Sequence, residues 1–195
     1  MKSLNRLGTQ TVSLPLSADD ILEFHAARIL LLIFVSGIKT RSEGVSRIDG
    51  LTKMAKLDFF TRYPDFFEVA RAELFPTEQN TSEESRSLQA VEAAMVRHHY
   101  GPWDKRYYHV LAYLEAKRLI TVSKSANSYS IATTGMGQEQ AKLLSETPSF
   151  SPLVEHMKEV KKIFGKKSGS VLKNMIYRLF DKEVGQRPLG EEIGL

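Results

Sequence analysis

The sequence predicts a mainly α-helical fold that carries one small β-hairpin, and three observations lead there. An apolar run at residues 26–35, broken only by Arg28, is apolar on most faces, as a helix at the centre of a core must be. Two short stretches, 119–123 and 128–133, place Ile120 and Val122, then Tyr129 and Ile131, at alternate positions around a turn at 124–127. Apolar residues at helical spacing flank that hairpin on both sides and return towards the C-terminus.

Composition sets the outer limits. The 195 residues suffice for one domain with an appendage or for two small domains, and 42% hydrophobic against 26% charged residues predicts a packed core. The chain has no cysteine, which excludes disulfides, thiolate zinc sites and cysteine nucleophiles and fits a reducing compartment, so a cytoplasmic location is expected. Residues 1–16 hold early basic groups without an apolar segment and small-residue cleavage site, so they are read as a flexible N-terminus and not as a secretory signal. The stretch 21–38 contains Glu23, His25 and Arg28, too polar for a lipid-spanning helix, and no membrane contact is expected. A net charge of +4 permits nucleic-acid contact without requiring it. The charge is uneven, with eight Lys or Arg against three Asp or Glu at 154–182 and four Glu against one Arg at 77–92.

Along the chain, Ser17 and Asp20 read as an N-cap and first-turn carboxylate for the apolar helix, and Gly37 is placed to end it. A polar loop is expected at 39–44. From Arg47 a helical pattern resumes through Leu51, Ala55 and Phe59, with Asp49 set to pair with Lys53 and Pro64 set to stop the helix. Phe66, Phe67, Val69 and Ala70 form a short apolar turn or helix, 75–87 an exposed polar stretch, and 90–100 a strand or a helix with the alternation favouring strand. Asp104 reads as the cap of a helix with Tyr108, Leu111, Ala112 and Leu119 along one face. After the hairpin, Thr134 caps a further helix that Gly135 and Gly137 open. This order, with the two earlier helices, is that of a winged helix-turn-helix at 17–147. A helical extension follows at 148–195, with amphipathic stretches at 153–164 and 171–180.

Little in the sequence points to catalysis. His25, His98, His99, His109 and His156 lack metal-ligand spacing, and the GKKS stretch at 165–168 has Val160 where a phosphate loop needs its first glycine. That basic cluster reads as a solvated interhelix loop or a nucleic-acid contact. No catalytic, cofactor-binding or metal-binding residue is nominated, and a non-enzymatic role is expected.

Two stretches are more specific than composition: DGLTKMAKLDFFTRYPD at 49–65 and MVRHHYGPWD at 95–104. With LKNMIYRLF at 172–180 and RPLGEEI at 187–193 they make the chain resemble, over about residues 20–193, the middle component of bacterial ABC-three-component systems, of which Lamassu anti-phage systems are members. The resemblance implies a winged-helix adaptor that joins an SMC/Rad50-like ABC ATPase to an effector subunit such as a nuclease, with DNA close by. Within the motifs, Lys53, Lys56, Asp58, Arg62 and Tyr63 converge at one helix end, as partner contacts or as a satisfied surface ion network. Arg97, Tyr100, Trp103, Asp104 and Arg106 are further candidate partner contacts, although for Trp103 stapling the helix start is the favoured reading. Lys105, His109, Lys124, Lys166 and Lys167 are candidate nucleic-acid contacts. The rival reading is a winged-helix transcription regulator with residues 104–118 as recognition helix and 124–127 as wing.

Overall fold

The computed structural model describes residues 21–40, 44–76, 95–125 and 128–193. Helix α1 (Leu22–Ser36) is the central element, packed against α2 (Leu51–Arg62), α4 (Tyr107–Ala116), α5 (Gly135–Ser145) and α6 (Ser151–Phe164). Its residues from Ile29 to Ile33 are at most 1% exposed. Each such side chain contributes about 1.5–3 kcal/mol of burial, which accounts for a helix apolar on nearly all sides. Gly37 ends it as expected, while the proposed cap at Ser17 and Asp20 lies outside the described residues.

Strands β1 (Ile38–Lys39), β2 (Ser46–Asp49), β5 (Ile120–Ser125) and β6 (Ser128–Thr133) form an antiparallel sheet in the order β1-β2-β6-β5. The expected hairpin is β5–β6, with Val122 opposite Ile131. Two expectations shift here. Lys39, expected to open a loop, pairs with β2 alongside Ile38, and 47–49, expected to begin a helix, are strand. Ser46 and Ile48 face inward while Arg47 and Asp49 face out, the period-two pattern of a half-buried strand. Helix α2 can start only after Gly50.

Pro64 does more than end α2. It opens α3 (Pro64–Leu74), where its missing N–H is harmless. Residues 77–94, which include the acidic stretch and the first part of the ambiguous segment, lie outside the described residues. Val96–His98 is strand (β3), as the alternation favoured, and it pairs with β4 (Gly101–Trp103) through a turn in which Gly101 has φ +87. On α4 the inward face is Tyr107, Val110, Leu111 and Leu114. Of the four residues expected to share that face, Tyr108 is instead 63% exposed, Ala112 is exposed and Leu119 lies beyond the helix. Tyr107 is anchored inward by a buried hydrogen bond, which sets the rotation of the helix.

Thr134 caps α5 by accepting the Gly137 N–H at 3.0 Å. A Cβ on Gly137 would stand 1.8 Å from the Leu119 carbonyl oxygen, so only glycine lets α5 lie against the strand start. Helices α6 and α7 (Gly169–Leu179) appear where expected but share the core of the rest. Leu172 and Ile176 are buried on α2, and Phe164 stacks on Phe60 at 4.4 Å between ring centres. The apolar stripe of α7 is therefore covered from within the chain, except Val171 at its rim, which is 50% exposed. The RPLGEEI segment docks too: Gly190 N–H donates to the Arg97 carbonyl, Ile193 N–H donates to the Met95 carbonyl, and Ile193 is fully buried. Among the described residues no helix is long and apolar enough to cross a membrane.

Candidate interaction site

The first motif builds a foundation and not a surface. Arg28, the one charge in the apolar run, donates from Nε to Asp58 Oδ1 at 3.0 Å, and the Tyr107 hydroxyl donates to Asp58 Oδ2 at 2.7 Å. Burial and the Asp58 carboxylate push the Tyr107 phenol well above its ordinary value, so it stays a donor. One turn further along α2, Arg62 donates to Asp104 Oδ2 at 2.8 Å. Arg106 reaches the same carboxylate three times, from its backbone N–H and Nε to Oδ1 and from a terminal nitrogen to Oδ2. Burial pushes the Asp104 carboxyl up, but the Arg106 hydrogen bonds and the Arg62 charge outweigh it and hold it down at about 2. His25 lies between Arg28 and Arg106, at 3.1 and 2.7 Å.

This network corrects the surface reading of the motif. Asp58, Arg62, Tyr63, Trp103 and Asp104 are enclosed and hold α1, α2 and α4 to one another, because a buried charge is tolerated only with its partner and hydrogen bonds in place. Tyr63 accepts the Met95 N–H at 2.8 Å. Asp104 serves α4 through Arg106, two residues on, and not as a direct cap. Lys56 is fully enclosed, donating to the Pro102 carbonyl at 2.7 Å, and burial together with the nearby Lys173 lowers its ammonium to about 7. Lys53 does not pair with Asp49 by hydrogen bond. It donates to the Gly165 carbonyl at 2.8 Å, while Asp49 binds Arg47. Arg97 is half-buried and donates to the Arg187 carbonyl, tying β3 to the tail. Of the ten candidate partner contacts, only Tyr100 is exposed as a large apolar group.

What the network positions is an aromatic cleft. Trp103 packs edge-on against Tyr107 at 5.1 Å, the stapling role open to it from sequence, and its ring forms the floor between His98 and Tyr108. Tyr100, Tyr108 and Tyr129 stand around it, 56%, 63% and 38% exposed, and Gly50, Leu51, Thr52 and Ser128 complete a cavity of about 300 Å³. The cleft thus lies where the β3–β4 turn, the start of α2, helix α4 and the hairpin meet. The Gly50 N–H donates to the Tyr129 carbonyl at 2.7 Å and fixes the hairpin against α2. No protein-family model, curated protein or solved structure matches this chain.

The candidate nucleic-acid contacts fall into two groups. Lys105 and His109 are exposed at the start of α4, and the Lys124 ammonium lies 5.7 Å from the centre of the Tyr129 ring, so all three neighbour the cleft residues. Lys166 lines a different cleft, which shares no residue with the aromatic one, and Lys167 is half-buried. Sequence reading missed Arg28 and Tyr107 as network members and Tyr108 and Tyr129 as cleft walls. A lone arginine inside an apolar helix was the available signal for the first, since it demands a buried carboxylate.

Proposed function

We propose that the chain is a winged-helix adaptor subunit whose aromatic cleft docks a partner protein, in the manner implied by its resemblance to the middle components of ABC-three-component systems. The winged-helix reading is supported by α1, β2, α2, α4 and the β5–β6 hairpin, which follow one another in that order with α3 and the β3–β4 pair inserted between α2 and α4, and by the antiparallel pairing of β2 with β6. The partners so implied are an SMC/Rad50-like ABC ATPase and an effector.

The observation that carries a protein partner over DNA is the outward face of α4. Helix α4 carries no Lys or Arg between its ends, where Lys105, Lys117 and Arg118 are exposed, and presents Tyr108, His109, Ala112 and Glu115 to solvent beside Tyr100 and Tyr129. A helix reading the major groove needs cations for phosphates and planar donors for base edges. Exposed tyrosines around an indole floor are instead the composition of an interface centre. Glu115 is in addition committed to the hairpin, accepting the Val122 N–H at 2.9 Å. Co-expression with the neighbouring genes of its operon tests the reading. The native chain should co-purify with both neighbours. Elution as a lone chain, or tight salt-sensitive binding to its own promoter as a homodimer, would favour the regulator instead.

A further inference from the structure

A second cleft, of about 460 Å³, opens between the C-terminal ends of α1 and α6 and is lined by five lysines: Lys39, Lys158, Lys161, Lys162 and Lys166. No carboxylate lines it among the described residues. Among the described residues only Lys158 of the five has an acidic partner at hand, Glu155 at 2.7 Å, and that pair is exposed and weak. Lysines in the last turn of a helix are ordinarily explained by the partial negative charge there, and that suffices for Lys161 and Lys162 on α6. It does not explain Lys39, which arrives from β1. Nor does it explain why the ammonium of Lys161 is held below its ordinary value by burial and by the Lys39 charge. Like charges gathered from separate elements repel one another until an anion sits among them.

Ser36 supplies an independent observation. It lines the same cleft, is 3% exposed, and its hydroxyl has no hydrogen-bond partner. A buried hydroxyl left without a partner destabilises the fold, and this one belongs to a residue of the cleft wall. The size suits a small polyanion or a short run of a phosphate chain.

We infer that this cleft binds a phosphate-bearing anion, the lysines neutralising its charge and the Ser36 hydroxyl donating to a phosphate oxygen. The same chemistry is offered by a free oligophosphate and by the phosphodiester backbone of DNA. The site is separate from the aromatic cleft, so its failure would leave the adaptor reading standing.

The test uses the full chain and two probes, inorganic tripolyphosphate by calorimetry and a short fluorescent DNA duplex by anisotropy. Lys161→Glu combined with Lys162→Glu changes exposed side chains, and Lys142→Glu with Lys182→Glu matches the change in net charge away from the cleft. The cleft variant should bind at least one probe about tenfold or more weakly than the control variant, where each tenfold is a factor of ten in Kd. Weakening confined to tripolyphosphate assigns a free oligophosphate; weakening confined to the duplex assigns the DNA backbone. Ser36→Ala should keep the melting temperature and lose affinity for the same probe. Equal binding by the cleft and control variants, or no binding of either probe by the native chain, would overturn the inference.

Discussion

Replacing Asp104 with Asn keeps the shape of the side chain and removes the charge that gathers Arg62 and Arg106, so it tests whether the buried network holds the fold together. Asp104 accepts four hydrogen bonds from these arginines and is 5% exposed. Breaking a buried pair by removing one partner costs about 3–5 kcal/mol, and the partial exposure of Arg106 places this case at the low end. A second route gives a similar figure. The carboxyl is lowered from 3.8 to about 2 in the fold, which at about 1.4 kcal/mol per pH unit, discounted for solvent screening, is about 2 kcal/mol. Asp104→Asn should therefore lose about 2–3 kcal/mol at neutral pH. In urea, with a slope of about 2 kcal/mol per molar, the midpoint should fall by about 1–1.5 M. The sign of the pH dependence follows from the lowered value: the native advantage is whole above pH 3.8 and fades as pH falls towards 2. A loss under about 0.5 kcal/mol, the range of ordinary surface changes, would show that the Asp104 carboxylate does not hold the fold together. So would a native-minus-variant difference that does not fade in acid.

Three further outcomes follow from the same geometry. Lys56 keeps its proton up to 10.5 in the unfolded chain but releases it near 7 in the fold, so stability rises with pH between those values; Lys56→Met should abolish that rise in paired denaturation curves at neutral and alkaline pH. Tyr107→Phe strips the hydroxyl from Asp58 and should cost about 1–3 kcal/mol by urea unfolding. Gly137→Ala forces α5 away from the Leu119 carbonyl and should cost about 1–3 kcal/mol, read as a lowered melting temperature.

The sequence made the periodic parts of this chain legible and the long-range parts only partly so. Helix α1, the β5–β6 hairpin and the Thr134 cap declare themselves through local pattern, although α1 begins only at Leu22 and β5 runs on through Lys124 and Ser125, which the alternation had left to the turn. Strand β2 did not, because Ser46–Asp49 is only four residues long and its one apolar residue, Ile48, also continues a helical spacing into α2. Only pairing with β6, over eighty positions away, settles it as strand. The charges of the first motif were read as a surface because Lys56, Asp58 and Arg62 look exposed by type. Their partners Pro102, Arg28 and Asp104 come from other elements, and no local spacing announces them. The aromatic cleft was half visible: Tyr100 and Trp103 lie in one motif, but Tyr108 and Tyr129 join them only through the fold.

The central claim is that the aromatic cleft docks a partner protein, and the most direct measurement is co-purification of the chain with its operon neighbours when Tyr108 and Tyr129 are both changed to Ala. Both tyrosines are exposed, so the melting temperature should stay close to that of the native chain. The native chain should bring down its neighbours, and the folded double variant should lose at least one of them. A double variant that is folded and retains both neighbours at native yield would contradict it.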